Sequence, residues 1–180
     1  MTANLVVALA NARAPRRPPH VRVPVAYDAL VNAASANELL GSFLDHRIKP
    51  HELKAVRALQ DAVTMIADAL IDGSPPPVDA LNGLNALAAE QDMTYALHRQ
   101  PDGTLRTTLR PQRASAIATL VIRTMDELGA LEPSRLRRCA RHECNLAFYD
   151  ATRSGTQRWH AERPCGLRER QERHRRHGLR

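Results

Sequence analysis

A chain of 180 residues accommodates one ordinary domain, or one domain of about 130 residues with a small appended module. Its apolar content of 43% is carried by Ala, Leu and Val, with only 3% aromatic residues, which favours helices and argues against a β-sandwich. The net charge of +7 is unevenly distributed: residues 134–180 hold 13 arginines against five acids, whereas residues 27–133 hold nine basic and 14 acidic side chains. The C-terminal segment is therefore the part suited to a polyanion, and it lacks the broad apolar face that a membrane surface would require.

No run of about 18 apolar residues exists, so no transmembrane helix is expected. Leu5 to Ala10 is apolar but short for a signal peptide and lacks a basic n-region, and the expectation is a cytoplasmic protein. Residues 1–25 read as a flexible basic leader, because Pro15, Pro18, Pro19 and Pro24 alternate with Arg13, Arg16, Arg17 and Arg22.

Residues 26–132 read as a helical domain. Tyr27, Leu30, Val31 and Ala34, then Leu39, Leu40, Phe43 and Leu44, predict two short helices. Pro50 opens the clearest one, in which Leu53, Val56, Leu59, Val63, Ile66 and Leu70 recur every three or four residues until Gly73 and Pro75–Pro77 end it. Val78 to Glu90 predicts a further short helix. Met93–Arg99 and Thr104–Arg110, separated by Gln100-Pro101-Asp102-Gly103, predict a β-hairpin. A last helix is expected over Gln112–Gly129, and Glu132-Pro133 marks a boundary. Asp28, Asp45, His46 and His51 fall at helix ends, where capping explains them; no phosphate loop, nucleophile elbow or repeat is present.

Residues 133–180 carry the chemistry. Cys139-x4-Cys144 and His160-x4-Cys165 form two close ligand pairs, which is how a structural zinc site is usually assembled. Three cysteines, all beyond position 138, do not make a disulfide framework. His142 competes with His160 for the fourth place, and two balanced pairs favour His160. Leu146 to Tyr149 and Gln157 to Trp159 predict a hairpin joining the pairs, and Cys165 opens a polar helix in an arrangement resembling a treble-clef finger. Trp159, Phe148 and Tyr149 are expected to form a miniature core over the metal, a base-stacking platform being the alternative. Arg168, Arg170, Arg173, Arg175 and Arg176 surround the helix axis; Glu169 with Arg173 and Glu172 with Arg176 are expected i,i+4 pairs. Together with Arg158 and Arg163, these arginines are the candidate DNA contacts. His174 and His177 are expected to be solvated.

These residues resemble a known family. Cys139-x4-Cys144, Phe148-Tyr149-Asp150, Thr152-Arg153, Arg158-Trp159 and Cys165-Gly166-x-Arg168 are similar to the CGNR zinc finger, and the helical body resembles the ABATE domain that accompanies it. Members are described as stress-induced transcription regulators of bacteria, so the resemblance implies one structural Zn2+ and binding of double-stranded DNA. Two departures stand out: His160 occupies a position usually held by Cys, and Leu167 replaces the signature Asn. The expected protein is mainly α, with a small β-hairpin in the N-terminal domain and a C-terminal zinc finger. That domain is a candidate for homodimerisation or for sensing a small-molecule effector. A zinc-stabilised adaptor for protein or RNA is the alternative, and an enzyme ranks last because four protein ligands leave no open metal position.

Overall fold

A computed structural model describes residues 4–14, 27–141 and 143–177. The architecture follows from one long amphipathic helix, α3 (Leu53–Ile71), whose residues Val56, Leu59, Val63 and Ile66 are buried at the expected spacing. Pro50–Glu52 forms a short turn of tighter helix ahead of it, and the Glu52 carboxylate accepts from the Lys49 N–H at 2.8 Å. Against α3 pack α1 (Leu5–Ala10), α4 (Val78–Ala89) and α5 (Ala116–Ala130). The start of α5 lies at Ala116 because the Ser115 hydroxyl caps it, accepting from the Ala118 N–H at 3.1 Å.

The structure differs from the sequence-based expectation at two places in the N-terminal part. The supposed leader begins with a core element: Leu5, Val6 and Leu9 have no solvent exposure, and Ala12 is buried behind them. Each such large side chain contributes about 1.5–3 kcal/mol on burial, which explains why this short apolar stretch is structured. Its N-terminus is held by α5, where the Glu127 carboxylate accepts from the Val6 N–H at 3.0 Å. The Pro- and Arg-rich stretch 15–26 lies outside the described residues.

The second difference concerns residues 27–32, which do not form the first of the two short helices. The Asp28 side chain accepts from the Leu30 N–H at 2.8 Å, and Asn32 caps α2 (Ala33–Leu40) by accepting from the Ser35 N–H at 2.9 Å. Short polar side chains thus bind the backbone locally and postpone the helix. Val31 is 58% exposed as a result.

The hairpin pairs β1 (Met93–Arg99) with β2 (Leu105–Pro111) in an antiparallel ladder running from Met93 opposite Pro111 to Arg99 opposite Leu105. Gly103 supplies the positive φ of 84° that its turn requires. After α5, β3 (Leu136–Arg138) pairs with β4 (Ala147–Tyr149), and α6 (Leu167–His177) closes the described chain. None of the helices among the described residues is long and apolar enough to cross a membrane.

Candidate metal centre and nucleic-acid face

The β3–β4 ladder sets the first two ligands. Cys139 follows β3 directly and donates its N–H to the Leu146 carbonyl at 2.9 Å; the Cys144 N–H donates to the Arg141 carbonyl at 2.9 Å. This tight turn is completed by Asn145, whose φ of 52° lies in the left-handed region that Asn tolerates. The hairpin therefore holds the Cys pair between its two strands, in place of the hairpin that the sequence predicts between the two ligand pairs. Gln157 to Trp159 is not a strand, and the segment is attached to the turn by the Ala140 N–H, which donates to the Arg158 carbonyl at 2.8 Å.

Asp150 turns the chain back towards the second pair. It is fully buried, and its carboxylate accepts from the N–H of Thr152 at 3.0 Å and of Gln157 at 2.8 Å and from the Thr152 hydroxyl, with the Arg137 guanidinium 4.0 Å away. Those hydrogen bonds hold its pKa below the usual carboxylate range, the Thr152 hydroxyl contributing most. The sequence reading gave Asp150 no role; the Asp-x-Thr spacing was the available signal, since it favours a side-chain-to-backbone turn.

Of the second pair, His160 sits in a bend and Cys165 in the wide turn that follows, Glu162–Gly166, which opens α6. Cys165 is buried in it, and at Gly166 a Cβ would lie 2.5 Å from a Glu162 carboxylate oxygen. The ligand atoms of Cys139, Cys144, His160 and Cys165 all fall within 4.8 Å of one another. His160 Nδ1 lies 3.2 Å from Cys144 Sγ and 3.6 Å from Cys165 Sγ. Ligands around a tetrahedral zinc ion are separated by about 3.5–3.8 Å, so three thiols and this ring nitrogen fit one ion. Burial, followed by the proximity of the other thiols, pushes the Cys165 thiol far up; burial likewise raises Cys144 and lowers His160. Without a metal, burial favours the protonated thiols of Cys144 and Cys165 beside a neutral His160 ring, and a zinc ion must displace those two protons. The chain thus forms a Cys3His centre for one metal ion.

A family model described as CGNR zinc finger matches residues 135–177, and one described as "Putative stress-induced transcription regulator", the ABATE family, matches residues 3–141. The chain belongs to the ABATE family. No curated protein matches it. The ABATE match begins before α1 and runs past the boundary inferred at Pro133, into the Cys turn. Body and CGNR finger are joined in the same way in the structure. The Asn11 side chain bonds both backbone groups of Ala147, and Arg138 pairs with Asp68 on α3.

The candidate DNA-contacting arginines separate by environment. Arg163, Arg173 and Arg176 are exposed and Arg168 is half-buried, and none of the four forms an ion pair among the described residues. Arg170 pairs with Glu162. Arg175 is exposed and donates from Nε to the Gln171 carbonyl, and exposed Arg158 stacks over Trp159 with 5.3 Å between guanidinium carbon and ring centroid. Phe148 is buried, as a miniature core requires, while Tyr149 and Trp159 are half-buried. His174 is exposed; His142 lies outside the described residues.

One residue that composition alone conceals holds α6 in place. Arg141 is 6% exposed, and its Nη2 donates to Glu143 and to Glu172 of α6, each at 2.7 Å. Glu172 is thereby engaged across 31 residues and does not form the expected pair with Arg176 among the described residues. The Cys turn consequently grips α6 twice, through the shared metal site at its start and through Arg141 further along.

Proposed function

We propose that this ABATE-family protein is a cytoplasmic bacterial transcription regulator that binds double-stranded DNA through α6 of its CGNR finger, with a structural zinc ion and no catalytic role for the metal. The observation that carries the reading is the set Arg163, Arg168, Arg173 and Arg176. Internal carboxylates neutralise Arg135, Arg137, Arg138, Arg141 and Arg170; Arg153, Arg158 and Arg175 also lack an ion pair among the described residues, but Arg158 lies over Trp159 and Arg175 bonds the Gln171 carbonyl. Planar guanidinium groups suit phosphate oxygens and guanine edges. Four protein ligands occupy a tetrahedral zinc completely, which suits a structural ion.

The test is the affinity of the zinc-loaded full chain for duplex DNA across a salt series, followed by selection from random duplexes. Four phosphate contacts give a slope of log affinity against log salt of about −4, and Arg173→Ala or Arg176→Ala reduces its magnitude by about one each. An affinity independent of salt, or a preference for RNA over every duplex tested, would overturn the proposal.

A further inference from the structure

The β1–β2 hairpin carries three of the large exposed apolar side chains of the described residues. Tyr95 is 78% exposed, Leu97 64% and Leu105 67%, all on the outer face defined by the ladder. A two-stranded hairpin in water is marginal on its own, and neither strand has a second partner strand among the described residues.

The two edges are chemically different. Gln100 donates its N–H to the Thr104 carbonyl at 2.7 Å, and Gln112 donates to the Asp92 carbonyl at 3.0 Å. Antiparallel pairing alternates, so the even-numbered residues of β1 bond to β2, and the N–H and C=O groups of Met93, Tyr95, Leu97 and Arg99 point away from it. On β2 the outward groups belong to Leu105, Thr107, Leu109 and Pro111. Pro111 has no N–H to offer, and α5 packs against this strand. Proline and a covering helix are the usual guards of a sheet edge; β1 contains no proline and, among the described residues, no helix packs closely against it. Its outward positions carry one charge, Arg99, at the turn end.

We infer that the open edge of β1 pairs antiparallel with β1 of a second copy of this chain, producing a four-stranded sheet across a two-fold axis. A second copy fits because the pairing is self-complementary. With the axis at Ala96, Tyr95 faces Leu97 of the partner subunit, and the same pair recurs on the other side. Arg99 then lies opposite Met93 of the partner subunit, so no like charges oppose each other. Pairing through β2 with the corresponding axis, at Thr108, would bring Arg106 of one copy opposite Arg110 of the other and would lose the donor at Pro111. The two fingers become related by the same axis, so a DNA site read by this dimer is an inverted repeat. The dimer itself does not depend on the DNA-binding proposal.

Sedimentation velocity of the zinc-loaded full chain over the micromolar range tests the inference. The expected mass is twice the 20.0 kDa of one chain. Leu97→Lys and Tyr95→Lys, at positions that solvent already reaches in the monomer, are expected to raise the dimer dissociation constant at least tenfold while the helical circular dichroism is retained. Thr107→Lys, on the same face but on the other strand, is expected to leave the dimer intact. Amide exchange at Tyr95 and Leu97 is expected to be slow in the wild type and fast in the Lys variants. A monomer throughout, open-ended assembly, a dimer indifferent to both β1 variants, or dissociation by Thr107→Lys would each overturn it.

Discussion

The side-chain amide of Asn11 replaces a neighbouring strand for Ala147. Its Nδ2 donates to the Ala147 carbonyl at 2.8 Å, and its Oδ1 accepts from the Ala147 N–H at 2.9 Å. The C-terminal cap of α1 thus completes the hydrogen bonding of β4, and two segments 136 residues apart become one structural unit. Replacing Asn11 with Ala leaves both backbone groups without this partner, at a cost of about 1–3 kcal/mol. Thermal unfolding of Asn11→Ala should fall by several degrees, and native-state amide exchange should accelerate at Ala147 more than in α3.

The metal is expected to be stoichiometric and structural. Elemental analysis of protein purified with reduced thiols and without chelator should give one zinc per chain. Chelation should abolish order over residues 136–166 while most of the helical signal of α3 and α5 persists. Cys144→Ser should lose the ion, and His160→Cys should retain it, because both side chains satisfy a tetrahedral zinc. A metal content near zero in the wild type would refute the Cys3His centre.

Arg141→Ala removes the connection from the Cys turn to α6 and should cost about 2 kcal/mol, as expected for charge-assisted hydrogen bonds to a buried group. Glu172→Gln should be milder, since Arg141 retains Glu143. Pairing Arg141→Glu with Glu172→Arg should recover part of the loss. Amide exchange in α6 is the discriminating readout: it should quicken in both single variants with zinc still bound.

Asp150 confers a specific acid sensitivity. Its carboxyl is held below the usual range in the folded protein, so the unfolded chain takes up the proton first as pH falls. Its contribution is fully present above the unfolded value, near pH 3.9, and is lost as pH falls through the lower folded one. Melting measured from pH 6 to pH 3 should show zinc loss at higher pH in both wild type and Asp150→Asn. The variant should lack the further decline below about pH 4.

What the sequence revealed depended on the range of the interactions. α3, the β1–β2 hairpin and the four ligands were legible because each rests on local periodicity, turn chemistry or ligand spacing. The burial of α1 was not, since Leu5 to Ala10 is too short to display a helical period and its meaning comes from α3 and α5. The identity of the strand partner of β4 was hidden for a similar reason: Leu136–Arg138 is three residues long and carries two arginines. The partner of Glu172 was misread because i,i+4 spacing suggests a local pair, and only the fold brings Arg141 within reach.

The bond between Asn11 and Ala147 also sets a timetable for biosynthesis. α1 is made before the elements that bury it: α5 is absent until residue 130 is made, and β4 follows later still. At about 5–20 residues per second, the 136 residues between Asn11 and Ala147 correspond to roughly 7–30 s during which Leu5, Val6 and Leu9 lack their full set of neighbours. Over that interval the nascent chain carries an apolar segment that α3, α5 and finally β4 cover in turn, so that the zinc finger supplies the last of the neighbours of α1.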